Sequence, residues 1–65
     1  MPKKWTGELV GMMHDYKITG GQLADELGVS REYVSMVLNG RRAPDGAKER
    51  FTAALKSIIK RTQPG

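Results

Sequence analysis

The chain has 65 residues, with 11 Lys and Arg against 7 Asp and Glu, a net charge of +4 and no cysteine. A chain of this length holds one domain whose core is small, the missing cysteines exclude disulfides and thiolate metal sites, and no apolar run approaches the roughly 20 residues that cross a bilayer. One domain over residues 1–65 is expected, soluble and cytoplasmic, with a basic balance (pI ≈ 9.8) that favours a polyanionic partner and no affinity for membrane.

Lys3 and Lys4 make residues 1–4 either a flexible basic arm or a solubilising tail. In the stretch WTGELVGMMHDY, residues 5–16, Trp5, Leu9, Met12, Met13 and Tyr16 recur at helical spacing, with Thr6 as the expected cap and Glu8 in the first turn. A second helix is expected over GGQLADEL, residues 20–27, capped by Thr19 and striped by Leu23, Ala24 and Leu27. Gly20 and Gly21 weaken it, by about 1 kcal/mol each if fully helical. Gly28 then stops it, because glycine takes positive φ without a Cβ clash. Ser30 caps a third helix, REYVSMVL, residues 31–38, in which Val34, Val37 and Leu38 point one way.

NGRRAPDG reads as a loop in which Asn39 and Gly40 end the third helix and Pro44 holds Ala43 extended. The fourth helix, AKERFTAALKSIIKR over residues 47–61, carries Ala47, Phe51, Ala54, Leu55, Ile58 and Ile59 on one broad face. TQPG, residues 62–65, is the C-terminal tail. No segment reads as a strand, so the expected class is all-α, a compact bundle of four or five helices.

Leu23, Ala24, Leu27, Gly28, Val29, Val34 and Val37 together describe two short helices packed across a glycine corner, a helix-turn-helix. Ala24 permits the close crossing, and a larger side chain there overpacks by about 1 to 3 kcal/mol. Turning about 100° per residue, Glu32 and Met36 point away from the core, Ser35 and Asn39 flank them, Tyr33 lies to one side, and Arg31 is lateral at the leading end. An arginine such as Arg31 matches the edge of guanine, Glu32 can accept from a cytosine amine or merely complement the helix dipole, and Met36 can cover a thymine methyl or pack sideways on the core. Tyr33 either hydrogen-bonds a phosphate or shields the second helix.

The run QLADELGVSREYVSMVLNGRRAP resembles the lambda-repressor-like helix-turn-helix proteins, the phage repressor and Cro group, in which leucine, alanine, a glycine corner, a Ser-capped helix and an Asn-Gly basic loop ending in proline follow in this order. The resemblance covers roughly residues 5–60. It implies binding of double-stranded DNA at a palindromic operator by a two-fold dimer, with the third helix in the major groove. The residues expected to read bases are Arg31, Glu32, Ser35 and Met36. Those expected at phosphates are Thr19, Tyr33, Asn39, Arg41 and Arg42.

Three departures accompany it. Many members carry a phosphate-contacting glutamine where this chain has Gly20; an arginine–glutamate pair between the first and third helices is replaced by Met13 and Leu38; and two short C-terminal helices are replaced by one longer helix.

Trp5, Phe51, Leu55 and Ile58 read as core, yet Ile58 and Ile59 together widen the stripe beyond what a small core covers. That points to a dimer contact at the end of the fourth helix, with a frayed exposed end as the alternative. Catalysis finds no footing, since His14 is the lone histidine, Asp25 and Glu26 diverge on their helix, and Ser30 is occupied as a cap. No metal, cofactor or small-molecule ligand is expected. The expected function is sequence-specific transcriptional regulation of repressor or Cro type in a bacterial or phage setting. The alternatives are a DNA-binding accessory factor, such as an excision factor or antitoxin, and a protein-interaction adaptor that keeps the fold without binding DNA.

Overall fold

In the computed structural model residues 4–62 are described, and they form four α-helices: α1 (Lys4–Asp15), α2 (Gly20–Leu27), α3 (Arg31–Leu38) and α4 (Ala47–Thr62). The spans of α2 and α3 are those the caps and apolar stripes predict. Thr19 closes the start of α2 in a full capping box: its Oγ1 accepts from the Gln22 N–H at 3.1 Å, and the Gln22 Oε1 accepts from the Thr19 N–H at 2.7 Å. Ser30 does the same for α3 on one side, its Oγ accepting from the Tyr33 N–H at 3.0 Å.

The first three helices end in the same way. After α1 the Ile18 N–H donates to the Met13 carbonyl (2.8 Å) and Lys17 N–H to His14 (3.1 Å); after α2 Val29 N–H donates to Ala24 (3.0 Å) and Gly28 N–H to Asp25 (3.3 Å); after α3 Arg41 N–H donates to Met36 (2.8 Å) and Gly40 N–H to Val37 (3.1 Å). Each is a Schellman closure, which needs a left-handed residue, and Lys17 (φ 57°), Gly28 (φ 74°) and Gly40 (φ 78°) supply it. The residue after the left-handed one is apolar in the first two closures: Ile18 is buried and Val29 packs against the core. In the third it is Arg41, which is exposed. Two corners therefore turn the chain inward, and one turns it out.

The core is assembled from Leu9 and Met13 of α1, Ile18 of the first corner, Leu23 and Ala24 of α2, Val34 and Val37 of α3, and Ala47, Phe51, Ala54, Leu55 and Ile58 of α4. α4 lies against both α2 and α1, and α3 rests on α2 and α1. Each fully buried Leu, Ile or Phe contributes about 1.5–3 kcal/mol by leaving water, so these few side chains supply most of what holds so short a chain folded. Trp5 meets Phe51 edge to face, with ring centroids 6.0 Å apart. One exposed ion pair, from Arg61 Nη2 to Glu26 Oε1 at 2.8 Å, ties the end of α4 to α2. Hydrogen bonds from Arg61 and then from Ser57 hold the Glu26 carboxyl below its ordinary range, and Glu26 in turn raises the Arg61 guanidinium.

Several expectations are corrected. Thr6 is not a cap but lies inside α1, 2 % exposed, because Lys4 and Trp5 are already helical. Lys4 therefore belongs to α1 and not to the basic arm, whose residues 1–3 lie outside the described residues. Tyr16 falls past the end of α1 and is 39 % exposed. Thr62 is the last residue of α4 and not the start of the tail, its hydroxyl donating to the Ile58 carbonyl at 2.8 Å; residues 63–65 lie outside the described residues. The C-terminal segment is one continuous helix, as its unbroken stripe predicts, with no fifth helix among the described residues. Ile58 is 1 % exposed and cannot offer a dimer surface, since α4 is flanked by α1 and α2 and the core between them encloses it. Ile59 is half-buried against that core.

Candidate nucleic-acid interface

The alternation within α3 separates anchors from exposed positions. Val34 and Val37 are 1 % exposed. Arg31, Glu32, Ser35 and Asn39 are exposed, and Met36 is half-buried but is not among the side chains packed on the core. A helix with its side chains is about 10–12 Å across, a width that a groove of about 12 Å admits. All four residues expected to read bases thus stand on the open side of α3 or at its leading end.

The two flanks of α3 carry cations held in different ways. On the side facing the start of α2, the Arg31 side chain lies over Gly21: a Cβ built there would sit 3.6 Å from the Arg31 Nε and 3.7 Å from its Cδ. Arg31, Gly20, Gly21, Met13, Leu38 and Val10 line a single groove between α1, α2 and α3. Met13 and Leu38 make part of its wall apolar. An apolar pair at such a place need not cost stability, because buried ion pairs often do no better than well-packed hydrophobes. Val10 extends this apolar surface to the outside, at 45 % exposure.

On the opposite flank the Arg42 guanidinium sits over the Tyr33 ring, its Cζ 5.6 Å from the ring centroid. Tyr33 is itself half-buried and packed against the core. The backbone beneath Arg42 is fixed as well, since the Met36 carbonyl accepts from both the Arg41 N–H (2.8 Å) and the Arg42 N–H (3.3 Å). Arg41 and Arg42 are exposed at the outward-turning corner.

Two of the residues expected at phosphates are engaged within the protein. The Asn39 Nδ2 donates to the Ser35 carbonyl at 2.8 Å and to the Ser35 Oγ at 3.1 Å, so its donors face the helix end and stabilise it. The Thr19 Oγ1 is an acceptor in the capping box; a hydroxyl that accepts keeps its own proton for donation, so the cap leaves Thr19 able to donate outward. Gln22, two residues after Gly20, is turned into that same box. The site thus gathers Thr19, Arg31, Glu32, Ser35, Met36 and Asn39 around α3, with Tyr33, Arg41 and Arg42 at its far flank, and leaves Ile58 and Ile59 on another element.

Among the described residues no group of three His, Cys, Asp or Glu side chains could hold a metal ion, and no described helix is long and apolar enough to cross a membrane. The helix-turn-helix corner, the outward face of α3 and the basic loop behind it define a DNA-binding domain. A family model described as helix-turn-helix matches residues 15–48, just over half of the chain and all of α2 and α3. The chain belongs to the lambda-repressor-like helix-turn-helix family, whose domains bind DNA in transcription regulators. Neither the comparison with curated proteins nor that with solved structures gave a match.

Proposed function

We propose that this protein is a sequence-specific regulator of repressor or Cro type, which inserts α3 into the major groove of a palindromic operator and acts as a homodimer on that DNA. The observation that carries the reading is the division of α3: two valines anchor the helix, while Arg31, Glu32, Ser35 and Met36 are available to a partner. Arg31 takes a guanine edge, Glu32 accepts from a cytosine amine, Ser35 bonds a neighbouring base, and Met36 covers a thymine methyl. Arg41, Arg42 and the Thr19 hydroxyl hold the phosphates on either side, and Asn39 contributes by fixing the end of α3. In the dimer the partially exposed flank of Ile59 meets its counterpart.

The decisive experiment is selection of bound sites from a random duplex pool, followed by titration of a panel of single-base variants of the preferred site. Arg31→Ala costs about 1 to 3 kcal/mol on that site and relaxes selection at one base pair in each half-site, while non-specific affinity falls much less. Met36→Ala relaxes a different pair, one bearing a thymine methyl. If both variants, folded by circular dichroism, keep the wild-type ranking of the panel, α3 is not the reading element.

A further inference from the structure

We infer that Tyr33 is a positioning residue for Arg42, a ring that holds the guanidinium where it meets a phosphate, and not itself a phosphate ligand. The inference rests on the DNA-binding reading above and assigns a role within it. Three observations carry it. The Tyr33 ring is packed on the core from one side, so it is a fixed surface and not a mobile side chain. The Arg42 Cζ stands 5.6 Å from the centroid of that ring, inside the range of about 6 Å in which a cation is drawn to a ring face. The Arg42 N–H shares the Met36 carbonyl with Arg41, so the backbone end of the side chain is tethered to α3 and the ring restrains the charged end.

The arrangement matters because an arginine on an exposed loop loses rotamer freedom when it meets a phosphate. A planar guanidinium already stacked on a ring has lost part of that freedom before binding, and stacking leaves the N–H groups around its edge free to donate. Arg31 is arranged otherwise: its Nε and Cδ lie over Gly21, a residue with no side chain. The two cations that flank α3 therefore differ in preorganisation, with Arg42 the more rigid of the pair.

The test compares Tyr33→Phe, Tyr33→Leu, Arg42→Ala and the double variant Tyr33→Leu/Arg42→Ala for affinity to the selected duplex across a range of salt, with NMR of the free proteins beside it. Tyr33→Phe keeps the ring and loses the hydroxyl, so affinity and salt dependence are expected to stay at the wild-type level. Tyr33→Leu is expected to weaken binding about two- to five-fold, the size of an exposed cation–π contact. In the Arg42→Ala background Tyr33→Leu is expected to have no further effect. In the free protein the Arg42 side-chain protons shift upfield from the ring, and the shift disappears in Tyr33→Leu.

A loss in Tyr33→Phe equal to that in Tyr33→Leu makes the hydroxyl a direct contact and overturns the inference, as does an additive loss in the double variant. Should Tyr33→Leu fail to fold, the upfield shift in the wild type and the unchanged binding of Tyr33→Phe carry the test, and absence of the shift overturns it. A wild-type protein that binds no duplex at low salt overturns the DNA-binding reading and this role with it. The upfield shift then tells that failure apart from a missing stack.

Discussion

Lys17 sits at φ 57°, the one described non-glycine residue with positive φ, in a conformation that costs an L-residue roughly 1–2 kcal/mol. It is tolerated because the corner it makes is held by two hydrogen bonds and by burial of Ile18. Lys17→Gly removes the strain but adds freedom to the unfolded chain, so a net gain of about 0.5–1 kcal/mol is expected. For a domain of this size that is a rise in Tm of several degrees, about 4–8 °C per kcal/mol, read from a thermal melt by circular dichroism. An unchanged or lower Tm would mean the lysine side chain contributes something the backbone strain conceals. The same corner shows a limit of reading residues singly. Ile18 is core, yet no periodicity marks it, because it belongs to no helix; only the closure geometry, with an apolar residue after the left-handed one, identifies such a position.

At the scale of elements, α2 and α3 were legible to the residue because their limits are written in local chemistry: Thr19 and Ser30 cap them, and Gly28 stops the first. The limits of α1 and α4 were less legible. Thr6 has the composition of a cap but is enclosed by the core, a matter of tertiary packing that a local pattern does not carry. Ile58 is core, as its stripe predicts, and its expected share in a dimer contact fails because the width of a stripe says how much apolar surface a helix has but not how many neighbours cover it.

The contacts between distant elements were also hidden. Glu26 and Arg61 are far apart in sequence, and their pairing depends on how α4 crosses α2. The lowered Glu26 pKa means that the pair favours the fold above the carboxyl's unfolded pKa and that this help is lost as the pH falls through the lower, folded value. Glu26→Gln should accordingly flatten the decline of Tm as the pH falls through and below the ordinary carboxyl range, relative to the wild type, while salt reduces the difference at neutral pH. Parallel declines in the two proteins would mean the pair contributes nothing to folding in solution.

For the whole molecule, the proposed dimer is where the smallest surface would carry the largest consequence. With Ile58 enclosed, only the outer flank of Ile59 and the polar residues around it remain for a partner at the end of α4. Contact through so narrow an edge is weak by itself and gains its effect by adding two half-site interactions on one duplex. Ile59→Lys should therefore lower affinity for a site with two half-sites far more than for one half-site, measured by titration beside ultracentrifugation with and without DNA. A wild-type protein that sediments as a monomer on palindromic DNA would remove the dimer.

The division of α3 has a consequence of another kind. Its anchors, Val34 and Val37, and the side chains it presents, Glu32, Ser35 and Met36, share no position. If α3 reads bases as proposed, single codon changes at the presented positions would alter what it recognises without opening a cavity or straining the core, so a lineage would drift from one target to another while staying above its stability threshold throughout. The outward turn at Gly40 keeps the arginines apart from both sets. Grip and address thus meet only where Tyr33 carries Arg42 and where Ser35 receives Asn39, within some twelve residues, about three helical turns of sequence.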